Sequence, residues 1–160
     1  MDQPSGSGSK GGFDMSKLST GDMITGGGAI AYLLSLFIFS WYTIMGHGYS
    51  DRGGLVALAI LAAIVAIAEI GIRVFAGNTL IANYKQVHMG LAIGAVVITA
   101  LKVVMKPGGG LLSSVVGLSF GIFVSLVLAV VWAFGAITMK GEAGSKPAAP
   151  PAGGGDSPIA

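Results

Sequence analysis

The chain has 160 residues, 53% of them apolar and only 10% charged, with a formal net charge of +2 and no cysteine. Soluble domains carry about 25% charged residues, so this composition points away from a soluble globular protein. The small net charge, with no basic cluster, argues against nucleic acid as a partner. The lack of cysteine removes disulfides, thiolate metal sites and thiol catalysis.

Residues 1–18 begin MDQPSGSGSKGG. With so little apolar surface to bury, they are expected to form a disordered N-terminus. Residues 19–140 read as one membrane domain containing four apolar runs, at about Ile24–Met45, Leu55–Ala76, Val87–Met105 and Leu111–Met139. Each is at least about as long as the ~20 residues that cross a ~30 Å hydrocarbon core. Barrel strands need only about 9–11 residues and alternate in polarity. These runs do not alternate, and a helix satisfies its own backbone polar groups in hydrocarbon. The expected fold class is therefore all-α, a polytopic membrane protein with four transmembrane helices. The loops are short, which predicts an antiparallel bundle. The first run exceeds the ~7–15 residues of a signal-peptide core and reads as an uncleaved span. Residues 141–160 hold four of the six prolines and are expected to be a disordered Pro/Ala/Gly-rich tail.

Ser19-Thr20-Gly21-Asp22 has the spacing of a capping box at the start of the first helix. Trp41 and Tyr42 suit one membrane interface and Trp132 the other. The Lys-Pro-Gly-Gly-Gly stretch at 106–110 reads as a tight turn. An even span number puts both termini on one side. That side holds Lys10, Lys17, Arg73, Lys85, Lys140 and Lys146, against Arg52, Lys102 and Lys106 on the other. The positive-inside bias places both termini in the cytoplasm. The fourth run would span about 43 Å as a continuous helix, so it is expected to tilt or to project into the cytoplasm.

On the fourth run Ser113, Gly117, Gly121, Ser125, Ala129 and Ala133 recur every four residues and would form a stripe of small side chains. Gly90 and Gly94 make a shorter version on the third. Such stripes let helices approach closely in lipid. This one could face its own bundle or another subunit. Glu69 and Arg73 are spaced for an intrahelical ion pair on the second helix, with the acid in the better, N-terminal position. The pair is either an intramembrane polar site or a structural pair near the interface. Lys102 sits one turn from the outer end of the third helix and reads as a snorkelling lysine. His47 and His88 fall on opposite sides of the membrane with no ligand cluster beside them. No catalytic residue, cofactor site or metal site is expected.

Phe13-Asp14-Met15-Ser16-Lys17-Leu18-Ser19-Thr20-Gly21-Asp22, leading into Gly26-Gly27-Gly28 and the aromatic end Phe39-Ser40-Trp41-Tyr42, resembles the start of small four-span actinobacterial membrane proteins of unknown function. The resemblance covers residues 13–42. It implies a four-span fold and brings no activity with it. The expected function is that of a non-enzymatic integral membrane protein, an accessory or scaffold subunit. Its partners would be the lipid bilayer and other membrane proteins, or further copies of itself. The alternative is a small transporter or channel subunit that uses Glu69 and Arg73.

Overall fold

The computed structural model describes residues 18–76, 79–107 and 115–142. It is mostly helical, with α1 at Thr20–Ile38, α2 at Leu55–Ala76, α3 at Tyr84–Val104 and α4 at Phe120–Glu142. All four helices are long and apolar enough to cross a membrane. Three short strands accompany them: β1 at Tyr42–Ile44, β2 at His47–Tyr49 and β3 at Val116–Leu118. Apart from Leu18 and the last turn of α4, the two termini expected to be disordered lie outside the described residues.

The capping box at the start of α1 forms as the spacing predicts. The Asp22 N–H donates to Ser19 Oγ at 3.2 Å, and the Ser19 N–H donates to Asp22 Oδ2 at 3.0 Å. α2 has the expected bounds, and α3 begins three residues earlier than Val87.

The first and fourth runs depart from continuous helices, both at the same end of the molecule. α1 stops at Ile38, and the remainder of its run becomes β1. α4 does not start at Leu111. Val116–Leu118 is a strand, and the helix begins only at Phe120. The strands pair antiparallel in the order β2-β1-β3, with Tyr42 opposite both Tyr49 and Leu118. Apolar content alone cannot separate helix from buried strand. The β-branched and aromatic residues Trp41-Tyr42-Thr43-Ile44 suit a pleated surface. A two-residue turn at Met45 and Gly46, with φ 51° and 82°, folds β2 back on β1. Arg52 then occupies the end of α1, donating to the carbonyls of Leu36 at 3.3 Å and Phe37 at 3.1 Å. Part of the length of the fourth run is thus strand rather than helix.

α1 packs most closely on α4. A Cβ placed on Gly28 would lie 2.8 Å from the Trp132 Cα, and one on Gly135 would lie 2.6 Å from the Thr25 backbone nitrogen. Gly21 meets the Met139 backbone in the same way, and Gly121 lies against the Ser40 carbonyl. The assembly keeps many small and several polar residues inside and carries large apolar side chains on its outer faces. Its interior is lined by Ala59, Ala63, Ala66, Ala92, Ala95, Ala129 and Ala136, with Glu69, His88, Thr99 and Ser125 among them. Its outer faces carry Leu34, Phe37, Leu58, Leu61, Val97, Val127 and Phe134, all exposed.

Replacing Gly28 or Gly135 with leucine forces backbones apart. Each change is expected to lower stability in detergent by about 1–3 kcal/mol. The Cβ of Gly27 would point into open space, so Gly27→Ala is expected to be neutral or slightly stabilising. Urea or thermal unfolding followed by circular dichroism checks both.

Candidate functional site

Three helices bring ionisable and aromatic side chains together where α1 begins, α2 ends and α3 begins. Asp22 sits in the first turn of α1, where its carboxylate both completes the cap and faces α2. Arg73, in the last turn of α2, donates to it through two nitrogens, Nη1 to Oδ1 at 2.6 Å and Nη2 to Oδ2 at 3.1 Å. This fork-on-carboxylate geometry fixes both partners. The other face of the guanidinium lies 4.2 Å from the centroid of the Tyr84 ring, within cation–π range. Tyr84 in turn meets His88 edge to face, one turn along α3, at 6.3 Å.

Glu69 is only 2% exposed. Its carboxylate accepts the Leu80 N–H at 3.2 and 3.3 Å, so the loop after α2 folds back over it. The ion pair expected between Glu69 and Arg73 is therefore not the one that forms, because Arg73 is engaged by Asp22. The sequence reading treated Asp22 only as a cap. The signal it missed is that a carboxylate opening one helix sits beside a guanidinium closing the next.

Further along the interior, the Tyr32 hydroxyl donates to Thr99 Oγ1 at 2.9 Å, since the Thr99 proton is engaged on the Ala95 carbonyl at 2.8 Å. The hydroxyls of Ser35 and Ser125 lie 2.9 Å apart, and Trp41 Nε1 donates to Ser125 Oγ at 3.1 Å. At the sheet end, Lys102 Nζ donates to Asp51 Oδ2 at 2.6 Å, and the Tyr42 hydroxyl donates to the Lys102 carbonyl at 2.8 Å. Lys102 thus has a carboxylate partner rather than snorkelling alone. The hydrogen bond from Lys102 holds the Asp51 carboxyl below its ordinary range. Burial, with the Asp51 charge adding to it, pushes the Tyr42 hydroxyl up to about 12.

The small residues of the fourth run divide. Ser113 lies outside the described residues, and Gly117 is in β3 against the Thr43 hydroxyl. Gly121, Ser125 and Ala129 are buried on α4, while Ala133 is half-buried. The helix turn of 3.6 residues carries the buried face on to Trp132, Gly135 and Ala136, so a strict repeat of four drifts off it. Gly90 is exposed and Gly94 half-buried, each with open space at the Cβ position. Between α1 and α2 a groove of about 330 Å³, lined by Met23, Gly26, Ile30, Ile67, Gly71 and Phe75 among others, reaches Asp22. Among the described residues no group of three or more metal-ligating side chains forms.

Comparison of the chain with protein-family models, with curated proteins and with solved structures finds no match.

Asp22→Asn leaves Arg73 without its counter-ion and is expected to cost about 3 kcal/mol, most of it recovered in the double variant with Arg73→Gln. For Asp51 the folded-state value is depressed, so its contribution is present above the unfolded value near ~3.9 and is lost as pH falls through the folded one. Asp51→Asn is accordingly expected to cost about 0.5–1 kcal/mol at pH 7. That difference should shrink as pH falls below the unfolded value, as read by unfolding curves at pH 7 and at successively lower pH.

Proposed function

We propose that the chain is a non-enzymatic integral membrane protein, an antiparallel four-helix bundle, that serves as a subunit of a small transporter or channel. Its working site is the cluster of Asp22, Glu69, Arg73 and His88. The observation that carries this reading is Glu69, an acid 2% exposed on the inner face of α2. A carboxylate placed inside an apolar span is costly, and such groups line ion or substrate pathways by default. Two further observations support it. Gly121 lies against Phe39 and Ser40, Ser125 is bonded to Ser35 and Trp41, and Ala129 is buried, so that stripe is not free to recruit a partner. The groove between α1 and α2 gives lateral access to Asp22.

The outward apolar faces fit lipid, and the excess of lysine and arginine at the cluster end fits a cytoplasmic location for both termini. The LSTGD-bearing start of the chain fits the actinobacterial four-span proteins that it resembles, and hence a bacterial plasma membrane. The alanine-filled interior leaves little room for a water path through one copy, so we assign the active form to an oligomer.

A second reading, an accessory subunit docking other membrane proteins, is favoured by one observation. Gly90 and Gly94 on α3 have nothing within reach of a Cβ, and α3 is the least buried of the four helices. A partner helix could approach closely there.

Reconstitution into liposomes loaded with a pH-sensitive dye tests the first reading. Glu69→Gln is expected to lower the proton or cation flux at least tenfold, while Gly90→Leu leaves it unchanged. A wild type without flux, or a flux indifferent to Glu69→Gln, sinks it. Under the second reading, Gly90→Leu abolishes crosslinking to a membrane partner.

A further inference from the structure

His88 is the buried group that the ion-pair cluster leaves unexplained. It is 1% exposed, on the inner face of α3, and neither ring nitrogen has a hydrogen-bond partner. A buried polar atom without a partner is costly, and water is its usual remedy where the surroundings are polar. Two other interior atoms share the condition, Thr25 Oγ1 on α1 and Trp132 Nε1 on α4. They sit on the same seam, since Thr25 packs against Gly135, and Gly28, one turn from Thr25, packs against Trp132.

The charges around His88 do not balance. α1 supplies Asp22, and α2 supplies Arg73, which lies over the Tyr84 ring, and Glu69, one turn back along α2 from Arg73 as His88 is one turn along α3 from Tyr84. On its own helix stand the neutral Tyr84 and, in the first turn, the half-buried Lys85, whose Nζ lies 5.8 Å from the Tyr84 ring centroid. The described residues of α4 up to Met139 include no titratable side chain. Two buried carboxylates thus face one guanidinium, and Arg73 is committed to Asp22 by two hydrogen bonds. With a neutral imidazole the set carries one uncompensated negative charge away from water, a costly state.

We propose that His88 and Glu69 together hold one exchangeable proton, and that this proton is the ligand of the site. The inference rests on the transport reading above and names its coupling ion. In one state the proton is on the Glu69 carboxyl and the imidazole is neutral. In the other it is on a ring nitrogen, leaving carboxylate and imidazolium, and the set is neutral in both. When the proton leaves to solvent, the carboxylate and a neutral imidazole remain, and a pH titration of the ring reads that release. Leu80, whose N–H donates to both Glu69 carboxylate oxygens, holds that carboxylate in place.

The test is 15N NMR of the full chain in lipid nanodiscs, in a His47→Gln background so that His88 is the one remaining histidine. The wild-type His88 ring is expected to change protonation state once between pH 5 and 8. In Glu69→Gln that transition is expected to move at least one pH unit lower, because imidazolium loses its stabilising carboxylate. Lys85→Gln is expected to move it by no more than a few tenths. A His88 that keeps one protonation state throughout, or whose transition ignores Glu69→Gln, overturns the proposal. The wild-type titration needs no variant at position 69 or 88 to fold. If the ring titrates as expected while the liposomes show no flux, the transport reading fails and the shared proton stands.

Discussion

Gly21, Gly28 and Gly135 let the backbones of α1 and α4 approach until each glycine lies against the main chain of the other helix. Dispersion falls steeply with distance, so contact at this range gains many small attractions at once. It also needs no hydrophobic effect, which matters if the outer faces are covered by lipid. The other inner positions follow from this seam. It sets Ser35 beside Ser125, brings Tyr32 and Trp132 to a ring separation of 5.8 Å, and fixes the start of α1 so that Asp22 meets Arg73. Any side chain at the glycines would spread the two helices and dismantle the polar contacts together.

Within that frame the polar groups are ordered along the interior. The ionic cluster of Asp22, Arg73, Glu69 and His88 occupies one end. Hydroxyl pairs from Tyr32, Thr99, Ser35 and Ser125 occupy the middle. Asp51, Lys102 and Tyr42 close the other end beneath the three-stranded sheet. The two ends differ in kind. At the sheet end Asp51 and Lys102 are one acid and one base in direct contact, a balanced pair at a partly exposed site. At the opposite end the balance is two acids to one base, with an unpartnered imidazole beside them. That asymmetry is the physical basis of the proposal that the working site lies at the α1 start rather than under the sheet.

Several features were legible in the residues. The four helices follow from the length of the apolar runs, because backbone groups in an apolar setting must bond within their own segment. The α1 cap follows from Ser19 and Asp22 at N-cap spacing, a local interaction that needs no partner helix. Glu69 and Arg73 were visible as charges among apolar residues, which singled them out without saying what each would touch.

The pairing was not legible, because sequence spacing reports neighbours on one helix and not across two. Arg73 has a carboxylate four residues away and another on α1, and only the tertiary packing decided for Asp22. His88 reads as an isolated histidine in the sequence, and only the fold buries it beside Tyr84 where α2 ends. The ends of the first and fourth runs were equally undecided, since an apolar segment serves as helix or strand until a partner strand supplies hydrogen bonds. Composition and periodicity by themselves determined that four helices form, where they begin to be apolar and that the charges within them are few. The fold alone decided which charges meet, that small residues on α4 face α1, and that one end carries an unmatched carboxylate. Those outcomes depend on distances between segments far apart in the chain, which local sequence does not encode.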